Sequence, residues 1–127
     1  MSDFTYAFSG FSVDDPAKAK EFYTDVLGLE VEEIPGMGMH LLLPGGAKVF
    51  VYEKGDHKPA SFTILNFEVE DIDTAVDALI EKGVEFEKYD GAPQDEKGIA
   101  RGKAANMGPD IAWFTDPAGN ILAVLQN

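Results

Sequence analysis

At 127 residues the chain has room for one domain, or for two very small halves sharing a core, and none for a second independent domain. Hydrophobic residues make up 45% and aromatic residues 11%, enough to build a sizeable core and to exclude disorder as the main state. Ten Lys and Arg against 23 Asp and Glu leave a formal charge of -13, a field that repels phosphate backbones and excludes nucleic acid as an expected partner.

The first residues, Met1 to Phe8, carry neither a basic cap nor an apolar signal core. No apolar run approaches the roughly 20 residues of a membrane span, so the expected location is cytoplasmic, with no membrane partner. Ser9, Phe11 and Val13 then alternate with Phe8, Gly10 and Ser12, the pattern of a strand buried on one face. Asp15 is placed to cap a helix and Pro16 suits its first position. The apolar spacing of Ala19, Phe22, Tyr23, Val26 and Leu27 continues that helix to Gly28. Leu29 to Glu33, His40 to Leu43 and Val49 to Tyr52 read as three strands separated by PGMG and PGG.

After the polar link EKGDHKPAS the order begins again. Thr63, Leu65, Phe67 and Val69 form a strand face, Asp71 caps, Ile72, Ala75, Val76 and Leu79 make a helical stripe, and Gly83 ends it. Val84 to Tyr89, Ile111 to Thr115 and Ile121 to Leu125 are the expected three strands of this half. Between them Asp90 to Asp110 reads as a long loop without apolar period, of the kind that is usually functional or mobile. The two halves are an internal repeat: at an offset of 56, Phe11 meets Phe67, Val13 meets Val69, Asp15 meets Asp71 and Ala19 meets Ala75, and Gly28 meets Gly83 after one deletion. The fold class is therefore α+β, two tandem βαβββ modules over about 4–54 and 61–127.

The segments VDDPAKAKEFYTDVLGLEV and FTDPAGNILAV, with the repeat, resemble the vicinal oxygen chelate superfamily of glyoxalases, bleomycin-resistance proteins and extradiol dioxygenases. The resemblance implies curled mixed sheets around a cleft. It also implies metal ligands, in the metal-dependent members, on the first and last strands of each module. Those positions fall here on Phe8, Phe50, Ile64 and Ala123, with Val51 as the one-residue alternative to Phe50. None has a donor atom, and His40 and His57 are single histidines without a supporting spacing. The expectation is no metal and no cofactor. Where extradiol dioxygenases carry a Tyr ahead of the acid-Pro turn, this chain has Trp113, facing either the cleft or the core.

Strand parity makes the expected ligand-binding wall Phe8, Phe50, Tyr52, Ile64, Trp113, Ala123 and Leu125, with His40 and Asn66 as polar handles. Lys97, Arg101 and Lys103 form a basic cluster in an acidic chain, suited either to clamping an anion or to solvation. The expected function is metal-free binding of an apolar or aromatic small molecule in the inter-sheet cleft. The alternative is an enzyme using acid-base chemistry, with His40, Glu53 or Glu68 as proton carrier. A filled, non-catalytic assembly module is the third reading, and a homodimer is the expected assembly.

Overall fold

The computed structural model describes residues 3–127, and these fall into two compact units that divide between Lys58 and Pro59. The first unit runs β1 (Ser9–Val13), α1 (Pro16–Glu21), a π-helical turn (Phe22–Val26), β2 (Glu30–Ile34), β3 (Gly38–Leu42) and β4 (Lys48–Glu53). The second runs β5 (Thr63–Glu68), α2 (Ile72–Glu81), β6 (Ala100–Arg101), β7 (Asp110–Thr115) and β8 (Ile121–Gln126). Each builds one four-stranded mixed sheet, in the orders β1-β4-β3-β2 and β5-β8-β7-β6, with one parallel pairing at the same place in each. The α+β class follows directly.

The repeat seen in the sequence is a repeat of local physics. Asp15 and Asp71 hold nearly the same extended backbone, φ -135°, ψ 97° and φ -137°, ψ 104°. Asp15 accepts from the N–H groups of Ala17 and Lys18, and Asp71 from that of Thr74, so each carboxylate satisfies donors that the first helical turn leaves open. Gln126 of β8 completes the second cap by accepting the Ile72 N–H at 2.9 Å.

Each sheet buries one face against its helix. In the first unit Val13, Met39, Leu41, Val49 and Val51 are buried with Ala19 and Tyr23, and Phe11 meets the Tyr23 ring at 6.1 Å. In the second, Ala112, Phe114, Leu122 and Val124 are buried with Ile72 and Val76. The DPAGN turn joins β7 to β8 and is held from within. Buried Asp116 accepts the backbone N–H groups of Ala118 and Asn120, both at 2.9 Å, and the Asn120 side-chain amide at 3.0 Å.

Three elements differ from the sequence reading. The first helix is not α-helical to Leu27: from Phe22 it widens to a π turn, with the Leu27 N–H bonded to the Phe22 carbonyl five residues back. The wider turn keeps Ala19 and Tyr23 buried while Phe22, Val26 and Leu27 stay partly exposed. Val84 to Tyr89 is not a regular strand; its backbone meets β7 where the Glu87 N–H donates to the Trp113 carbonyl at 2.8 Å, and Ala100–Arg101 forms the ladder with β7 instead.

The third difference is the segment 90–110, which is neither bare nor loosely held. Gln94 accepts the Tyr89 N–H and donates to the Glu87 and Gly98 carbonyls, Asp95 accepts the N–H groups of Lys97 and Ile99, and Ile99 is fully buried. No apolar period announces such a loop, because side-chain to backbone bonds carry it.

Candidate functional site

The face of each sheet turned away from its helix carries the expected site residues, and the ladders put them in rows. In the first unit Glu32 pairs with His40, His40 with Phe50 and Phe50 with Gly10. In the second the corresponding row is Trp113, Ala123 and Asn66. Position by position, His40 matches Trp113, Phe50 matches Ala123 and Gly10 matches Asn66, the last pair at the repeat offset of 56. Val51 is fully buried on the opposite face, so Phe50 is the counterpart of Ala123.

The first unit concentrates aromatic rings on this face. Tyr6 stacks on Phe8 with centroids 6.1 Å apart, Phe8 meets His40 edge-on at 6.2 Å, His40 meets Phe50 at 5.8 Å, and Phe50 stacks on Tyr52 at 5.6 Å with 19° between planes. A cavity of about 430 Å³ opens against this ladder, lined by Tyr6, Phe8, His40 and Phe50, with Ile34, Met37 and Lys48 completing it. Tyr6 and Phe8 are 67% and 59% exposed, so their rings are available to a ligand. All four first-unit site residues of the sequence reading thus come together: Phe8, His40 and Phe50 line the cavity, and Tyr52 stacks behind Phe50. Sequence reasoning missed Tyr6, Ile34, Met37 and Lys48. Alternation of Phe4, Tyr6 and Phe8 ahead of β1 was the available signal for Tyr6, and the same-face spacing of Lys48 with Phe50 was the signal for Lys48.

The polar groups here are coupled. Glu32 Oε1 lies 3.3 Å from His40 Nδ1 and 3.9 Å from Lys48 Nζ. Across the β2–β3 turn a second, shallower depression of about 730 Å³ is lined by Glu33 and Glu53 with the turn residues Pro35 to Gly38. Of the proposed proton carriers, Glu53 belongs to that depression and not to the aromatic one, and Glu68 accepts a bond from Asn127 at 2.6 Å. His57 pairs with Ser12, Nδ1 to Oγ 2.6 Å, in the first unit.

The second unit is different in character. Trp113 is half-buried and meets Tyr89 edge-on at 5.5 Å, Leu125 is half-buried, and Asn66 is exposed. Burial, and then the Glu87 charge, pushes the Tyr89 phenol up. Two expected wall residues need correction. Ala123 is fully buried, so it offers no exposed surface to a ligand. Ile64 is the extra residue of a bulge, since Thr63 pairs with Ile121 and Leu65 with the adjacent Leu122, and the alternation that would align Ile64 with Asn66 is broken there.

The basic cluster is also corrected. Arg101 donates to both carboxylate oxygens of Asp73, at 3.0 and 2.7 Å, and to Asp95 at 3.1 and 3.2 Å, while Lys97 lies 3.0 Å from Asp77 and 3.6 Å from Asp73. Hydrogen bonding from Arg101 holds the Asp73 carboxyl below its ordinary range, and Asp73 in turn raises the guanidinium. Lys97 and Arg101 fasten the 90–110 segment to α2, while Lys103 is exposed.

The ligand positions of the metal-dependent members do not fit a metal. Phe8, Phe50, Ile64 and Ala123 have no donor, and among the described residues no group of three or more His, Cys, Asp or Glu is placed to hold a metal ion.

Residues 6–124 match the family model of the glyoxalase/bleomycin resistance protein/dioxygenase superfamily. The chain belongs to this superfamily. The uncharacterized protein YraH of Bacillus subtilis (strain 168) is 29% identical over 128 positions, spanning 90% of this chain and 91% of that one. A superfamily structure from Sphaerobacter thermophilus DSM 20745 superposes with a TM-score of 0.69 at 27% identity, covering 98% of each chain. TnmS3, an antibiotic binding protein from Streptomyces sp. CB03234, shares the fold at TM-score 0.64 and 24% identity, covering 99% of this chain and 98% of its own. This glyoxalase-superfamily chain has no helix, among the described residues, long and apolar enough to cross a membrane.

Proposed function

We propose that this superfamily member is a metal-free small-molecule-binding protein that takes an apolar or aromatic ligand on the aromatic face of its first unit. The observation that carries the reading is the ring ladder from Tyr6 to Tyr52 beside a cavity of about 430 Å³. That volume lies within the range of small-molecule sites, and mostly apolar walls with a few polar groups are their usual chemistry. Exposed rings offer a planar ligand stacking surface at little entropic cost, since each has only two side-chain torsions. The antibiotic-binding function of a protein with the same fold is compatible with this reading, although fold alone does not decide it.

Titration with a neutral naphthalene derivative tests it. Binding is expected, and Phe50→Ala should weaken it about tenfold, since an aromatic pair contributes about 0.5 to 1.5 kcal/mol beyond its buried area. Failure of the wild-type protein to bind overturns the proposal.

A further inference from the structure

We infer that the ligand of the aromatic cavity is an aromatic acid, its carboxylate seated on Lys48; this inference rests on the cavity being a ligand site. The charged chemistry of the lining opposes that of the chain. Acidic residues outnumber basic ones 23 to 10, yet the cavity is lined by a lysine and a histidine and by no carboxylate. Glu32 stands beside that lining and is shared, nearer to His40 at 3.3 Å than to Lys48 at 3.9 Å. An ammonium has three donors, and one distant carboxylate oxygen leaves Lys48 the capacity to take an anion.

Two other cations are more heavily engaged by carboxylates than Lys48 is. Lys97 and Arg101 already face Asp73, Asp77 and Asp95 at hydrogen-bonding distance. The net charge of -13 acts on the approach of a ligand, but at physiological salt its reach is screened over about 8 Å, and at contact the nearest charge decides. That charge is Lys48.

Position fixes the shape of the ligand. Lys48 and Phe50 are two residues apart on one strand face, about 7 Å along β4, and Phe8 and Tyr6 stand beside Phe50. A ring lying against Phe50 with an acid group attached to it, or one bond removed, spans that separation. A cation in the same place would meet Lys48 as a like charge.

Calorimetric titration at pH 7.5 with 2-naphthoate, 2-naphthamide and 2-naphthylmethylammonium separates the possibilities, because the three probes share a ring system and differ in charge. The naphthoate should bind about tenfold tighter than the amide, a difference of about 1.4 kcal/mol, and the ammonium should bind weakest. Lys48→Met should remove the preference for the acid over the amide, and Lys48→Arg should keep the preference. Equal affinity for acid and amide, tighter binding of the ammonium, or a preference that survives in Lys48→Met overturns the acid inference while the cavity remains a ligand site. Binding of none of the three probes overturns the cavity reading, and this inference with it.

Discussion

Neighbouring residues on one strand can have opposite fates, and β7 shows it at Trp113 and Phe114. Phe114 is fully buried on the helix face and meets Phe86 at 5.6 Å, whereas Trp113 is half-buried on the other face. Phe114→Ala should therefore cost about 3 to 5 kcal/mol, the usual penalty for emptying a large core site, and Trp113→Ala distinctly less, despite the larger ring. Urea unfolding of both variants measures this, and equal losses would mean that the assigned faces are wrong. Asp95 gives a prediction of another kind. Burial is the largest influence on its carboxyl and pushes it up, but the N–H groups of Ile99 and Lys97, together with Arg101, outweigh it and hold the group below the ordinary 3.8. A depressed carboxylate stabilises the fold above its unfolded value and loses that contribution as pH falls through the lower, folded value. Stability should thus be level with respect to this group from pH 7 to about 5 and fall below about pH 4, and Asp95→Asn should flatten that acid limb in thermal melts.

Whole elements depend on a few such contacts. Each helix starts at an aspartate cap, and Asp15→Ala and Asp71→Ala should each cost about 1 kcal/mol in chemical denaturation, while Asp15→Ser should restore most of the loss. The close approach of β3 to β4 rests on a different constraint. Gly38 has φ 146°, and a Cβ there would overlap the Val51 carbonyl, so the two strands can only approach so closely with glycine at that position. The backbone there cannot yield without disturbing the β3–β4 ladder that carries His40 and Phe50. The caps were readable in advance because Asp-Pro and Asp-Ile stand directly before an apolar period. The π turn was not, because a spacing such as that of Ala19, Tyr23 and Leu27 fits 3.6 residues per turn nearly as well as a wider one. In Val84 to Tyr89 strand-like composition did not yield a ladder: the segment bonds to the β7 backbone at Trp113, beyond the Asp110 and Ile111 positions that β6 pairs with.

On the scale of the molecule, superfamily membership raises the question of a metal, and the side chains at Phe8, Phe50, Ile64 and Ala123 carry no donor atom for one. Elemental analysis of protein purified without chelator should find no stoichiometric Zn, Fe, Ni or Mn, and EDTA should leave the Tm unchanged. A bound equivalent that disappears on His40→Ala would show that a ligand set exists which the strand positions did not reveal. The acidic surface has its own consequence. A charge of -13 slows the approach of anions and favours that of cations at low salt, so association rates for differently charged ligands should converge as ionic strength rises.

The sequence by itself determined the repeated architecture, because strand alternation, Asp caps and glycine stops are local signals, and duplication prints them twice. It also determined which side of each first-unit strand faces the helix, since period-2 alternation leaves Phe8, His40, Phe50 and Tyr52 on one side. The tertiary structure alone decided what those sides do. Whether Lys97 and Arg101 meet a ligand or a carboxylate depends on α2 lying against the 90–110 segment, contacts 20 to 28 residues apart that no local pattern encodes. The Ile64 bulge depends likewise on how β8 pairs with β5, and Lys48 reaches the ring ladder because β4 runs between β1 and β3. Register and packing between distant segments are set by the sum of many weak contacts, and that sum exists only in the folded chain.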